Sequence, residues 1–395
     1  MNFIFISPNF PKTYYQFCRE LKNLGVNVLG IGEDPYDCLS NELKDSLSDY
    51  YQVRSLENYA DVYQATAYFA YRYGKIDYIE SNNEYWLESD ARLRSDFNVC
   101  TGKKSEEIQM FKSKEAMKEY YRKAGIKVAR YHIPTTLEKA REFIGKVGYP
   151  VIVKPDNGVG AYHTYKINND SDLIHFYEKN FPSVKYIMEE YIDGDLISFD
   201  GISNQECEPV FFSNEVFPTP IMELVNKLSD VFYYSNNTCP KDLEEAGRKV
   251  LKSFEARNRY FHLEFFRLKK DKVGLGKKGD LIGLEVNMRC PGGYTPDMIN
   301  FANSVSTYRI WAEVMVSDRT DENLNLPHFY CGYYGRRIQN RYGHTREDIF
   351  NRFGDKIVMH EWMPEILSGA MGNEAFYLKT DSMDELIEFR DFCSK

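Results

Sequence analysis

The sequence predicts a multidomain chain of mixed class, an open parallel α/β unit followed by an α+β region. Three observations carry this. Strand-like and helix-like runs alternate over roughly the first hundred residues. Further on, strand-like runs follow one another directly with helices interspersed. The length, 395 residues, suits two or three domains better than one.

"NFIFIS" is a short apolar run rich in β-formers, "YYQFCRELKNLG" is amphipathic up to Gly25, and "VNVLGIG" reads as a second strand. Strand, helix and strand within about 30 residues make a βαβ unit and hence a parallel sheet. "YADVYQATAYFAYRYG" and "IDYIES" add a helix and a strand, closing a first unit over residues 1–105. No GxGxxG follows the first strand, so the dinucleotide fingerprint is absent. "KKSEEIQMFKSKEAMKEYYRKAGI" then reads as charged and helical to Gly125, and Thr135 with Glu138 predicts a capping box for the next helix. "YPVIVKP", "YIMEEYIDGD", "YFHLEFFRL" and "DLIGLEVNMR" read as strands, with a long helix in "PKDLEEAGRKVLKSFEAR". The expected divisions are 1–105, 106–190, 191–325 and 326–395.

Composition excludes several function classes. The chain is 43% hydrophobic and 28% charged, with a formal net charge of −9 and no basic run interleaved with aromatics. Nucleic acid is not an expected partner, because phosphate backbones need a dense positive footprint. The eight cysteines are scattered without a CxxC pair, which argues for a reducing compartment rather than a zinc site or disulfide framework. No run approaches the roughly 20 apolar residues of a membrane span, and "MNFIFISPNF" lacks a basic n-region. A cytoplasmic protein is expected.

The stretch "LIGLEVNMRCPGGYTPD", Leu281 to Asp297, is the richest in chemistry. On a strand, Glu285, Asn287 and Arg289 share one face while Leu284, Val286 and Met288 take the other. The Gly-rich, charged "KKDKVGLGKKGD" reads as a hairpin connection, so antiparallel pairing sets Glu264 of "FHLEFFRL" near Glu285. Two neighbouring carboxylates repel unless a cation lies between them. With the Asn287 amide they form an oxygen-only ligand set suited to Mg²⁺ or Mn²⁺. The alternative is a salt bridge from Glu264 to Arg267 or to a lysine of the hairpin. Lys154 closes an apolar strand before Gly158 and Gly160, which aims an ammonium and backbone N–H groups at a phosphate. Glu189 and Glu190 end another strand, where a solvated turn is the plain alternative.

The order "FKSKEAM … GYPVIVKPDNGVG … YIMEEYIDG … HLEFF … LEVNMRCPGG" resembles the ATP-grasp superfamily over roughly residues 100–320. The resemblance is nearest to carboxylate–amine ligases that join amino acids, and also touches biotin carboxylase and carbamoyl phosphate synthetase. It implies an ATP-grasp fold with an N-terminal pre-ATP-grasp domain (1–105), small and large subdomains (106–190 and 191–325) and a C-terminal lid or substrate region (326–395). It implies ATP and Mg²⁺ or Mn²⁺ as cofactors, small-molecule carboxylate and amine substrates, no nucleic-acid or membrane partner, and a homodimer as one assembly. By matching residues, Lys114 resembles the first phosphate lysine, with Lys112 as rival, and Lys154 the second. The loop 156–164 resembles the phosphate flap, including Gly158 and Gly160. Glu189, Glu190, Tyr191 and Ile192 resemble the adenine hinge. The ribose position falls on Leu196, with Asp195 beside it as substitute. Glu264, Glu285 and Asn287 match metal ligands, Arg289 matches the arginine that steadies the reacting acyl phosphate, and Gly292 and Gly293 bring backbone close to substrate. The implied reaction is ATP-dependent amide formation through an acyl phosphate. Bicarbonate-dependent carboxylation, nucleotide-precursor ligation and non-catalytic nucleotide binding are the alternatives. For a substrate pocket, the tyrosines of "HFYCGYYGRR" and "FYLKT" stand against a core-packing reading, and Arg336 and Arg337 against a solvated one.

Overall fold

The computed structural model describes residues 1–158, 163–179, 184–219 and 229–395. Three sheets organise them. The first is parallel throughout, in the order Asp49–Gln52, Asn27–Gly32, Asn2–Ile6, Tyr78–Glu80. Its strands are apolar on both sides because both faces are covered. Phe5 and Phe17 pack with Trp311 of helix Thr307–Ser317 on one face. Ile4, Ile31, Val62 and Phe69 fill the other.

The second sheet has ten strands and holds Glu264, Glu285 and Asn287. Across its middle run Val231–Ser235, Glu215–Phe217, Gly194–Ser203, Arg259–Leu268 and Leu281–Asn287, each antiparallel to its neighbour. The short strand Lys127–Val128 adds to the last of these in parallel. The C-terminal strands Tyr330–Arg336, Glu374–Thr380 and Ile357–Trp362 extend the opposite edge of the same sheet. The third sheet, Tyr131–His132, Tyr186–Glu190, Val151–Pro155, Tyr165–Ile167, is small and antiparallel.

Helix Lys114–Lys123 joins the sheets and explains one feature of the central pairing. Its Tyr121 hydroxyl donates to the carbonyls of Glu285 at 2.9 Å and Glu264 at 3.2 Å. The register there jumps from Glu264↔Glu285 to Phe265↔Gly283, so Leu284 is the extra residue of a β-bulge. Gly283 has no side chain because the Tyr121 ring occupies that space: a Cβ would lie 2.4 Å from the ring.

Three sequence expectations are corrected. The charged run before Gly125 is two helices, Gln109–Lys112 and Lys114–Lys123, because Ser113 caps the second by accepting from the Ala116 N–H at 3.2 Å. The cap of helix Leu137–Val147 is Thr136 rather than Thr135, its hydroxyl accepting from the Lys139 N–H at 3.3 Å. Leu284 does not share a face with Val286 and Met288, since the bulge breaks the alternation; those two enter the core and Leu284 lines the cleft.

Gly283→Ala forces a methyl into the Tyr121 ring, and overpacking of this kind costs about 1–3 kcal/mol. Urea unfolding of the variant is expected to show that loss; an unchanged midpoint contradicts the packing described.

Candidate active site

Between the small sheet and the ten-stranded sheet lies a cleft of about 380 Å³. Its walls include Lys114, Lys118, Lys154, Glu189, His262, Glu264, Glu285, Asn287 and Arg289. A larger depression of about 750 Å³, at Glu57, Trp86 and Lys112, holds none of these groups.

Local structure delivers each charge. Glu264 and Glu285 are direct cross-strand partners, and His262 faces Asn287 one step along the same face. Lys114 sits in the first turn of its helix, and Asp156, just beyond strand Val151–Pro155, caps that end. The Asp156 carboxylate accepts from the Glu115 N–H and the Ser113 hydroxyl, both at 2.8 Å. Lys154 and the Lys114 helix are thereby fastened to one another. Lys114 Nζ lies 3.3 Å from Glu285 Oε1 and donates to the Gly158 carbonyl. Lys112, the rival, is turned away and pairs with buried Glu84 at 2.8 Å.

Glu189 points inward as a charge partner rather than sitting at a solvated turn. Its oxygens meet Lys118 at 2.6 Å and Lys154 at 3.0 Å. Burial alone would push its carboxyl up, yet the two ammoniums hold it down at about 2. Burial wins at fully enclosed Lys118, whose pKa is lowered, whereas Glu189, Glu285 and Glu264 outweigh it at Lys154, whose pKa is raised. Glu285 likewise stays below the usual carboxylate range despite its burial, because Lys114 and Lys154 face it.

Glu264 makes neither of the salt bridges considered. Arg267 is taken by Asp242, Lys269 by Asp195 and Lys270 by Asp193. Glu264 Oε1 instead meets His262 Nε2 at 3.0 Å, and His262 Nδ1 meets the Asp200 carboxylate. Both ring nitrogens therefore face carboxylates. Burial disfavours the charged ring, but Asp200 above all and then Glu264 raise its pKa to about 10. Behind Asp200, buried Glu215 is pushed well up by burial and by the Asp200 charge. Two carboxylates, an amide and neighbouring cations are a donor set that fits a hard divalent ion and a polyphosphate.

Arg289 lies beyond the strand, which ends at Asn287, yet it reaches the cleft. It donates to the Cys290 carbonyl at 2.8 Å and to Asn287 Oδ1 at 3.3 Å. Gly292 and Gly293 line the same end, where a Cβ on Gly293 would lie 2.4 Å from Met371 Sδ. Tyr191 and Ile192 line the cleft beside Ala129, Ile152 and Ile282, and Leu196 lines it in the cluster of Phe217, Val231 and Tyr233. Glu190 also borders it, but its carboxylate is bound by Arg130, at 3.0 and 2.6 Å, and by Lys272 at 3.3 Å.

Several expectations do not meet the cleft. Asp195 is corrected: strand alternation turns it away from Leu196, and it pairs with Lys269 outside the cleft, so it is not brought to a ribose position. Gly160 lies outside the described residues, as do its neighbours 159, 161 and 162 in the flap expected over 156–164. Arg336 and Arg337 are neither solvated nor at the cleft. Arg336 donates to the Cys393 and His344 carbonyls, and Arg337 to those of Ser229, Ser368 and Gly369. Tyr333, Tyr334 and Tyr377 pack in the core. Sequence reading missed Lys118, one helical turn from Lys114, and His262, two residues before Glu264 on the same strand face. Both spacings were visible.

The depressed Glu189 carboxyl makes stability pH-dependent in a defined window. A group whose pKa is lower folded than unfolded contributes stability above its unfolded value, near 4.5, and loses it as pH falls toward 2. Glu189→Gln leaves two buried ammoniums without their shared carboxylate and is expected to cost about 3–5 kcal/mol at pH 7. Urea melts from pH 7 to 3 are expected to show the gap between wild type and variant narrowing below pH 4.5; a constant gap sinks the assignment.

Comparison with known proteins bears on the fold. The model of an ATP-grasp domain matches residues 118–261. The L-arginine-specific L-amino acid ligase of Bacillus subtilis is 26% identical over 325 residues, covering 79% of this chain and 72% of that one. The carbamoyl phosphate synthase large chain of Thermoanaerobacter pseudethanolicus is 24% identical over 109 residues, 27% of this chain but only 10% of its own length. Among solved structures, an L-amino acid ligase from Bacillus licheniformis superposes with a TM-score of 0.73 at 14% identity, covering 99% of this chain and 96% of that one. The biotin carboxylase domain of Hydrogenobacter thermophilus 2-oxoglutarate carboxylase, bound to MgADP and bicarbonate, superposes at 0.68 with 15% identity, covering 98% and 87%. At such identities the superpositions speak for the fold. Residues 118–261 thus match an ATP-grasp domain, and over most of its length the chain is similar to an L-amino acid ligase.

Proposed function

We propose that this chain is an ATP-dependent carboxylate–amine ligase that joins amino acids through an acyl phosphate and releases ADP and phosphate. The observation that carries the reading is the facing of two charge sets across one cleft. Glu264, Glu285 and Asn287 stand on one wall, and Lys114 and Lys154 on the other, close enough that Lys114 meets Glu285 at 3.3 Å. The similarity to an L-amino acid ligase over most of the chain supports the same reaction class.

In this reading adenine occupies the apolar end at Tyr191, Ile192, Ala129 and Ile282, and the phosphates extend toward Lys114 and Lys154. Those ammoniums exchange carboxylate partners for phosphate oxygens, so the cleft is charged for an anion before one arrives. Glu264, Glu285 and Asn287 would hold Mg²⁺ or Mn²⁺, which when bound supplies neutralisation of phosphate charge. A substrate carboxylate attacks the γ-phosphorus. Arg289, beside Asn287, offers its guanidinium to the carboxylate or to the transferred phosphoryl group. An amine then attacks the acyl carbon and expels phosphate. The cleft is also lined by Phe217, Val231, Tyr233, Leu367, Ala370 and Met371, which supports an uncharged side chain on one of the two amino acids.

Glu285→Ala is expected to lower kcat by about a thousandfold or more, several kcal/mol of transition-state stabilisation, with only a modest loss of ATP affinity. Lys154→Ala is expected to weaken nucleotide binding by about tenfold to a hundredfold, the range of a hydrogen bond to a charged group. Calorimetry and circular dichroism on the same samples separate these effects from misfolding. Full turnover by Glu285→Ala contradicts the metal assignment.

Substrates are found by measuring phosphate release from MgATP against amino acids singly and in pairs, with mass spectrometry for products lighter by one water. Pairs that include leucine, methionine or phenylalanine are expected to respond. Silence across all pairs, with ATP still bound, rules against amino-acid ligation and favours another acid.

A further inference from the structure

A row of buried polar groups crosses the cleft face of the ten-stranded sheet, although most of their strand neighbours are apolar. Ser235 donates to Glu215 at 2.7 Å, and the Glu215 N–H donates to Ser198 Oγ at 3.2 Å. The Ser198 hydroxyl donates to one Asp200 oxygen, His262 meets the other, and His262 Nε2 meets Glu264 at 3.0 Å. Strand register explains the row. Glu215 pairs with Ser235, Ser198 with Glu264, Asp200 with His262, and Glu264 with Glu285. Asp200, Glu215, Ser198 and Ser235 are fully enclosed, and His262 is 7% exposed.

Such a row is costly, since every buried carboxyl gives up water and each needs a partner. Phe199, Phe261 and Leu263, interleaved on the same strands, show that the sheet packs apolar side chains well. The row reaches the cleft at its last two members, His262 and Glu264. We propose that His262 is a positioning residue, clamped from behind by Asp200, that holds the Glu264 carboxylate in the orientation that receives the divalent cation.

The physical case is one of freedom. A glutamate has three rotatable bonds, and at a cleft edge beside Glu285 it swings away from its like-charged neighbour unless something holds it. His262 supplies an N–H on a two-torsion side chain whose other nitrogen is already committed to Asp200. Asp200 in turn is fixed by Ser198. Each link removes a rotor from the next, so the last carboxylate is fixed before the ion binds. Groups that orient metal ligands in this way change metal affinity by about 10–100-fold when removed.

This inference rests on the metal reading of Glu264 and Glu285, and its test separates the two. Mn²⁺ is titrated into the full chain saturated with a non-hydrolysable ATP analogue, and free Mn²⁺ is followed by electron paramagnetic resonance. His262→Ala is expected to bind Mn²⁺ about 10–100-fold more weakly. His262→Gln, which keeps an N–H donor, is expected to recover most of that loss. ADP affinity in EDTA stays within about twofold in both variants, and saturating Mg²⁺ restores their turnover, which a misfolded cleft does not allow. Asp200→Asn, nearly isosteric, is expected to shift Mn²⁺ affinity in the same direction and carries the test if His262→Ala does not fold. Wild-type Mn²⁺ affinity in His262→Ala or Asp200→Asn, with Glu285→Ala impaired, overturns the positioning role and leaves the metal reading standing. Wild-type affinity in all three overturns the metal reading itself.

Discussion

Every part of the candidate site depends on one antiparallel pairing, Arg259–Leu268 against Leu281–Asn287. Its register sets Glu264 opposite Glu285 and His262 opposite Asn287, which gathers the oxygen donors on one patch of sheet. A slip of a single residue sends each of these side chains to the opposite face. The bulge at Leu284 and the Tyr121 hydroxyl, which donates to both glutamate carbonyls, hold that register from behind. Gly283 is the condition for it, since no other residue leaves room for the Tyr121 ring.

The second organising fact is that the cleft is assembled already charged. Lys114, Lys118 and Lys154 come from a helix and a strand that Asp156 ties together, and Glu189 and Glu285 neutralise them. Burying charges in this way is expensive, and enclosed Lys118 shows the expense in its lowered pKa. A protein that used these groups only for stability would do as well with apolar side chains. Retained together at a cleft, they fit the proposed polyphosphate site, whose reorganisation on binding would be small. Arg289 extends the charge toward Gly292 and Gly293, where Met371 lies against Gly293.

The C-terminal segment shows how one sheet serves two ends of the cleft. Its strands continue the ten-stranded sheet, and helix Glu365–Met371 returns to place Leu367, Ala370 and Met371 beside Gly293. Arg337 secures that return by donating to the Ser368 and Gly369 carbonyls and to Ser229. An arginine that the sequence left open between a substrate anchor and a solvated residue is thus a structural fastener. Tyr333, Tyr334 and Tyr377 around it pack in the core, the reading the sequence favoured over a pocket.

The residues whose chemistry is local were legible without coordinates. Alternation in "LEVNMR" and the hairpin between the two strands placed Glu264, Glu285 and Asn287 together, and the apolar run "VIVKP" put Lys154 at a strand end. The βαβ alternation of the first unit was equally readable, because period-two and period-3.6 patterns are written in the chain itself. Only the tertiary structure decided which of Lys112 and Lys114 enters the cleft, because that turns on a cap at Ser113 and on the distant carboxylate of Asp156. It alone removed Asp195 from the ribose position and moved Leu284 into the cleft, for both follow from register across strands. It alone joined Asp200 and Glu215 to His262, residues up to 62 positions apart. Local periodicity is a property of neighbours along the chain, whereas side-chain partnership between strands is set by pairing and burial that no short window contains.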